Sequence, residues 1–117
     1  MSNIIVLFEV SLKKEEMQDY LQQAAALKTL LINEEGFISA ERFSSLTAEG
    51  KLLSMSIWRD EESVARWRNN LSHRMSQKSG RMENFVDYKI TVVSPLRSYT
   101  MNERQEAPKD SNQYFDV

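Results

Sequence analysis

Residues 56–68 read Ser56-Ile57-Trp58-Arg59-Asp60-Glu61-Glu62-Ser63-Val64-Ala65-Arg66-Trp67-Arg68, and this line holds a strand end, a cap and a helix start. Ser56 to Arg59 close a run in which apolar and polar residues alternate, the period of a strand. Asp60 is a helix N-cap residue, and Glu61 and Glu62 put negative charge in the first turn, where the helix dipole favours it. Val64, Trp67 and Leu71 then share one helix side. A strand therefore passes directly into an amphipathic helix.

Working outward, residues 37–46 and 51–59 form a hairpin around the short polar connection Thr47-Ala48-Glu49-Gly50. Downstream, Asn69-Asn70 compete with the backbone through local hydrogen bonds, so the helix is predicted to break there. Ser72 restarts it as a short helix ending at Gly80. Residues 84–97 are a last strand, with Val86, Tyr88, Ile90 and Val92 on one face and Phe85, Asp87, Lys89 and Thr91 on the other. Pro95 near its end marks an edge or a bulge. At the start of the chain, residues 3–12 alternate with apolar side chains on both faces, unusual for a strand with one wet side. Residues 14–34 form a helix with Met17, Tyr20, Leu21, Ala24, Leu27 and Leu31 in one stripe. Glu34 and Glu35 sit badly at its negative end, so its last turn is expected to fray, and Gly36 is a left-handed stop.

The order is βαββαβ with the second helix broken, an α+β, ferredoxin-like arrangement: an antiparallel sheet with helices on one face. The sheet's other face is also apolar and needs a cover, and a second copy of the chain is the simplest one. Residues 1–100 make this domain. Residues 101–117 are polar and aperiodic and read as a loose tail, or, through Tyr114 and Phe115, as an arm anchored on another surface.

A chain of 117 residues with 41% hydrophobic and 27% charged residues is one ordinary domain. Its net charge of −2 argues against general affinity for nucleic acid or anionic lipid. No apolar run reaches membrane-spanning length, and the N-terminus opens straight into Ile4-Ile5-Val6-Leu7-Phe8 without a basic lead-in, so a cytoplasmic protein is expected. Cysteine is absent, which excludes disulfides, thiolate nucleophiles and cysteine metal sites. With a single histidine, His73, one subunit cannot assemble a metal site of several imidazoles, and no protein-held metal is expected.

The run from Ser56 to Arg68 resembles the strand-to-helix junction of antibiotic biosynthesis monooxygenase domains. His73-Arg74-Met75-Ser76-Gln77-Lys78-Ser79-Gly80-Arg81 resembles the short helix that follows in one bacterial branch of that family, and Glu35-Gly36-Phe37 resembles its turn into strand two. The resemblance spans roughly residues 3–99. It implies a homodimer of ferredoxin-like subunits, a dimeric α/β barrel, with a cavity between helices and sheet in each subunit. It also implies the family's range of activities: cofactor-independent oxygenation of phenolic or hydroquinone-like substrates, haem binding or degradation, or ligand binding without catalysis. The haem-degrading members resemble this chain at Trp67. Their ligating histidine falls at Gln77 rather than His73, and their strand-one asparagine falls at Glu9 or Val10.

The candidate chemistry follows. His73 is the only side chain whose unperturbed pKa lies near neutrality and is the candidate base for deprotonating a phenol; otherwise it is a cap or surface residue beside Ser72. Trp58 and Trp67 either stack on a flat ligand or pack the core. Gln77, one turn beyond His73, either orients the imidazole or is simply solvated. Tyr88 and Glu41, both mid-strand, either face the cavity or face water. Arg59, Arg66, Arg68, Arg74 and Arg81 are offset by nearby acids and read as a solvated face. The expected activity is a cofactor-free monooxygenase acting on a small reduced aromatic. The alternatives are a non-catalytic ligand-binding dimer and a haem protein.

Overall fold

The computed structural model describes residues 3–77 and 85–114, with side chains at 3–71 and 86–113. Four strands, β1 (Ile4–Leu12), β2 (Phe37–Ser44), β3 (Lys51–Trp58) and β4 (Phe85–Val93), form one antiparallel sheet in the order β2-β3-β1-β4. Helices α1 (Met17–Leu31) and α2 (Glu61–Gln77) supply the two crossovers, giving the ferredoxin-like topology. The sheet is open, with β2 and β4 as its edges.

Register sorts the side chains, because a strand alternates faces with period two. Val10 lies opposite Leu52 and Tyr88, and Ile4 lies opposite Trp58. The even-numbered residues of β1 therefore share the helix face with Leu52, Ser54, Ser56 and Trp58. Val10, Leu12, Leu52 and Tyr20 form the buried cluster there, with Phe8, Met17 and Ala24 packed against it. The odd-numbered residues of β1 look the other way: Ile5 opposes Ile57, Leu7 opposes Met55, and Glu9 opposes Leu53. Phe43 and Glu41 of β2 join this bare face opposite Leu53 and Met55. A groove of about 400 Å³ runs across it, lined by Leu7, Glu9, Phe43, Lys51 and Leu53 among others. The Glu9 carboxylate pairs with Lys51 at 3.3 Å on this face.

Four expectations change. The first helix opens as a 3-10 turn, Lys14–Glu16, before α1 begins at Met17. The second helix does not break at Asn69-Asn70: α2 is continuous, and the Asn70 amide donates to Glu34 Oε1 at 2.7 Å instead of competing for its own backbone. Glu34 and Glu35 are not misplaced charges. Glu34 takes that hydrogen bond, and Glu35 lies 3.7 Å from both Arg59 and Arg66, so tertiary partners offset the unfavourable helix end. Beyond β4 the polar segment stays outside the core but carries its own structure. Arg104 stacks over the Tyr99 ring at 5.1 Å and donates to Asn112 Oδ1 and to the Thr100 carbonyl. The Ser98 amide donates to Glu106, and residues Lys109–Tyr114 form α3.

Candidate functional site

The site is built from the β3–α2 junction. Asp60 caps α2 as its sequence position implies: the Ser63 amide and hydroxyl both donate to Asp60 Oδ1, at 2.8 and 2.7 Å. Arg66 donates in turn to the Ser63 hydroxyl at 3.1 Å. These Ser63 hydrogen bonds, hydroxyl first and amide second, together with the neighbouring Arg59, lower the Asp60 carboxyl from 3.8 to about 2. Ser63 is fully buried against Gly36, whose φ of +88° places the chain in the left-handed region. A Cβ at Gly36 would overlap the Ser63 side chain, so only glycine allows this approach. The Arg59 amide then donates to the Gly36 carbonyl at 2.7 Å, tying the β2 entry to the end of β3.

That junction fixes the two tryptophans. Trp58 is 1% exposed, donates its indole N–H to Ser56 Oγ at 2.9 Å, and meets Phe37 edge-on at 5.5 Å. Trp67 lies over it, with ring centroids 6.3 Å apart at an interplanar angle of 31°. Trp67 is half-buried and keeps surface for another contact, whereas Trp58 has almost none to offer and acts as the platform beneath Trp67.

From Trp67 the helix face of the sheet opens toward β4. Two cross-strand rows make its floor. One runs Arg42, Ser54, Phe8, Ile90; the next runs Ala40, Ser56, Val6, Val92. Tyr88 leans on Phe8, ring centroids 5.9 Å apart, which puts its ring on this same face. Ile90 and Val92 are 56% and 47% exposed, so the helices leave the β4 side of their own face uncovered. The floor thus grades from hydroxyls and a guanidinium at β2 and β3 to hydrocarbon at β1 and β4. On α1, burial raises the Tyr20 phenol, and the nearby Arg42 charge draws it partly back down. A phenol held neutral in this way leaves the guanidinium charge in place.

The structure therefore puts Trp67 and Tyr88 on the same sheet face but at different rows: Trp58, beneath Trp67, pairs with Ile4, whereas Tyr88 pairs with Val10, about 20 Å further along β1. Glu41 points to the bare face, away from them. His73 and Gln77 lie on the last turns of α2, and their side chains fall outside the described residues. Arg59 and Arg66 are engaged by Glu35, Asp60 and Glu62. Arg42, Ser54, Ser56 and Tyr20 lie on or against this face and were not singled out by motif reading. Strand parity was the available signal, because Arg42 shares its face with Ala40 and Ser44, opposite Glu41 and Phe43. The strand-one position expected of a haem-degrading site holds Val10, buried in the α1 core, and Glu9, turned to the bare face and paired with Lys51. Neither presents a polar side chain on the helix face.

Comparison with known proteins bears on the fold and the family. Over 98 residues the chain is 39% identical to "Jasmonate monooxygenase ABM" of Pyricularia oryzae, covering 84% of this chain but 46% of that protein, less than half of its length. It is 25% identical to the uncharacterized protein YqjZ of Bacillus subtilis over 80% of both chains. Among solved structures, Rv0793 of Mycobacterium tuberculosis superposes with a TM-score of 0.72 at 18% identity, covering 85% of this chain and all of that one. A mutant of MhuD, with two manganese protoporphyrin IX bound per active site, superposes at 0.67 with 10% identity, covering 83% of this chain and 98% of that one. At such identities the structures show the fold alone. Among the described residues no helix is long and apolar enough to cross a membrane. Residues 3–88 match the antibiotic biosynthesis monooxygenase family, and the chain belongs to it.

Proposed function

We propose that this chain is a small-molecule monooxygenase whose substrate lies on the helix face of the sheet, between Trp67 and the uncovered β4 side chains. The observation that carries this reading is the row of apolar residues on β4, exposed on the very face the helices should cover, beside a half-buried tryptophan. Concave, mostly apolar surfaces with a few polar groups are where small molecules bind. The relative from Pyricularia oryzae is named for a monooxygenase reaction on jasmonate, and we carry over the reaction type together with the preference for a small organic substrate.

Two oxygenation chemistries balance. A phenol-activated CH2 group reacts with O2 to give C=O and water, the substrate supplying all the electrons, so no cofactor is needed. Hydroxylation of an unactivated C–H gives C–OH and water only if a reductant such as a reduced nicotinamide supplies two electrons and two protons. The cofactor-free route on a small reduced aromatic is our first reading. In it, His73 takes the substrate proton, Gln77 steadies the imidazole or a substrate oxygen, Trp67 stacks on the ring, and Tyr88 borders the far end of the face. Deprotonation raises the substrate's electron-donating power, and the apolar floor keeps water away from the resulting anion.

The assembly we propose is a homodimer formed through the bare face. Ile5, Leu7, Phe43, Leu53, Met55 and Ile57 present an apolar surface that an isolated subunit would leave wet. A two-fold partner covers it and leaves both helix faces free for substrate.

Oxygen uptake tests the function. Hydroquinones, anthrones and jasmonate are supplied with and without reduced nicotinamide, and uptake is compared with the His73→Ala variant. Turnover without reductant that is lost in the variant supports the cofactor-free route, and turnover only with reductant redirects it. Uptake no greater than that of the variant across the whole panel removes the enzymatic reading in favour of a binding dimer.

A further inference from the structure

Arg42 is an exposed arginine on the helix face of the edge strand β2. Arg59 and Arg66 are held by carboxylates, but among the described residues Arg42, like Arg68 of α2, makes no ion pair. Its same-face neighbours along and across the strands are Ala40, Ser44 and Ser54, none of them acidic, and Glu41 next to it points to the opposite face. The charged group nevertheless sits on the helix face, close enough to Tyr20 to act on its phenol. An arginine placed at the polar end of a row that runs Ser54, Phe8, Ile90 is arranged to hold one end of a long, mostly apolar molecule.

We propose that Arg42 is an anion anchor, and that the cleft takes an apolar molecule bearing one carboxylate, its acid group on the Arg42 guanidinium with Ser54 beside it and its hydrocarbon body over Phe8, Ile90 and Val92. A planar guanidinium matches a carboxylate through two parallel hydrogen bonds, which neither a serine nor an ammonium does. Three inter-strand steps separate the Arg42 and Ile90 strands, about 14 Å at the usual spacing. That sets the length of molecule able to touch both ends of the row. The inference rests on the helix-face reading above and adds the substrate class.

Two acid–ester pairs test it: jasmonic acid with methyl jasmonate, and decanoic acid with methyl decanoate. Affinities are measured calorimetrically for the wild-type protein, Arg42→Gln and Arg42→Lys, with thermal melts showing that the variants fold. The acid of at least one pair should bind wild type about tenfold or more tightly than its ester, the scale of a charge-assisted contact. Arg42→Gln should collapse that ratio toward unity, and Arg42→Lys should keep part of it. Equal binding of acid and ester, an acid preference that survives Arg42→Gln, or no saturable binding of either acid overturns the anchor. Oxygen uptake by wild type with uncharged phenols, run alongside, separates the two readings. Uptake without an acid preference removes the anchor and leaves the oxygenase. An acid preference without uptake on any substrate removes the oxygenase and leaves the anchor.

Discussion

Replacing Gly36 by alanine strikes the joint that places Trp67. Two costs add at this position. A residue with a Cβ pays roughly 1–2 kcal/mol to hold a left-handed φ, and Gly36 sits at +88°. The new methyl would also occupy the space of the Ser63 side chain, which is fully buried and bonded to Asp60 and Arg66, so it cannot swing away without losing those bonds. Overpacking of this kind costs about 1–3 kcal/mol. The total, about 2–5 kcal/mol, is a large part of the roughly 5–15 kcal/mol by which a domain is stable. At about 4 °C per kcal/mol the melting temperature should fall by about 8–20 °C. The assay is thermal and urea unfolding of the wild type, Gly36→Ala, Ser63→Gly and the double variant. Ser63→Gly removes the clashing atoms, so it should recover the overpacking share and leave the backbone share, a coupling of about 1 kcal/mol or more between the two sites. A Gly36→Ala protein within about 1 kcal/mol of wild type, or a cost unchanged in the Ser63→Gly background, would refute the reasoning, because surface substitutions without such contacts cost about half a kcal/mol or less.

Trp67→Ala should lose about 2 kcal/mol in urea melts, below the range for a fully buried aromatic because Trp67 is only half-buried, and should weaken ligand binding by calorimetry. Asp60→Asn should destabilise at neutral pH. Because the folded-state carboxyl is depressed from 3.8 to about 2, its contribution is complete above pH 3.8 and fades as pH falls toward about 2. Melts of wild type and Asp60→Asn should therefore differ above that window and converge below it. Met55→Arg, on the bare face, should convert the proposed dimer to monomer at micromolar concentration in sedimentation, since burying an unpaired charge opposes association. A wild-type monomer at the same concentration would remove the proposed interface.

The strand and helix order was legible because it depends on local pattern. The alternation of Ile4 to Leu12 and the Asp60 cap with its acidic first turn both survive in the structure. What was not legible depends on partners far away in sequence. Asn70 reads locally as a helix breaker, yet its amide reaches Glu34 across the gap between α1 and α2, and α2 runs through. Glu35 reads as a misplaced charge until Arg59 and Arg66 fold against it. The candidate site was half legible. Trp67 and Tyr88 stood out by residue type, but Arg42 reads as any surface arginine, and its proposed role comes from β2 pairing with β3 so that it shares a face with Ser54, Phe8 and Ile90. Tyr20 was absorbed into an apolar stripe, where its side chain does pack.

Isotope incorporation at the helix face is the most direct test of the proposed oxygenase. Wild type and a Val92→Arg variant, which puts a charge on the exposed floor of the cleft without touching the buried cluster, are given the same oxidisable substrate under isotopically heavy oxygen gas. The products are then weighed by mass spectrometry. Wild type should give a product carrying one heavy oxygen atom from the gas, and a Val92→Arg protein that melts like wild type should lose it. A wild-type product whose new oxygen comes from water, or turnover undiminished in the variant, would contradict the assignment.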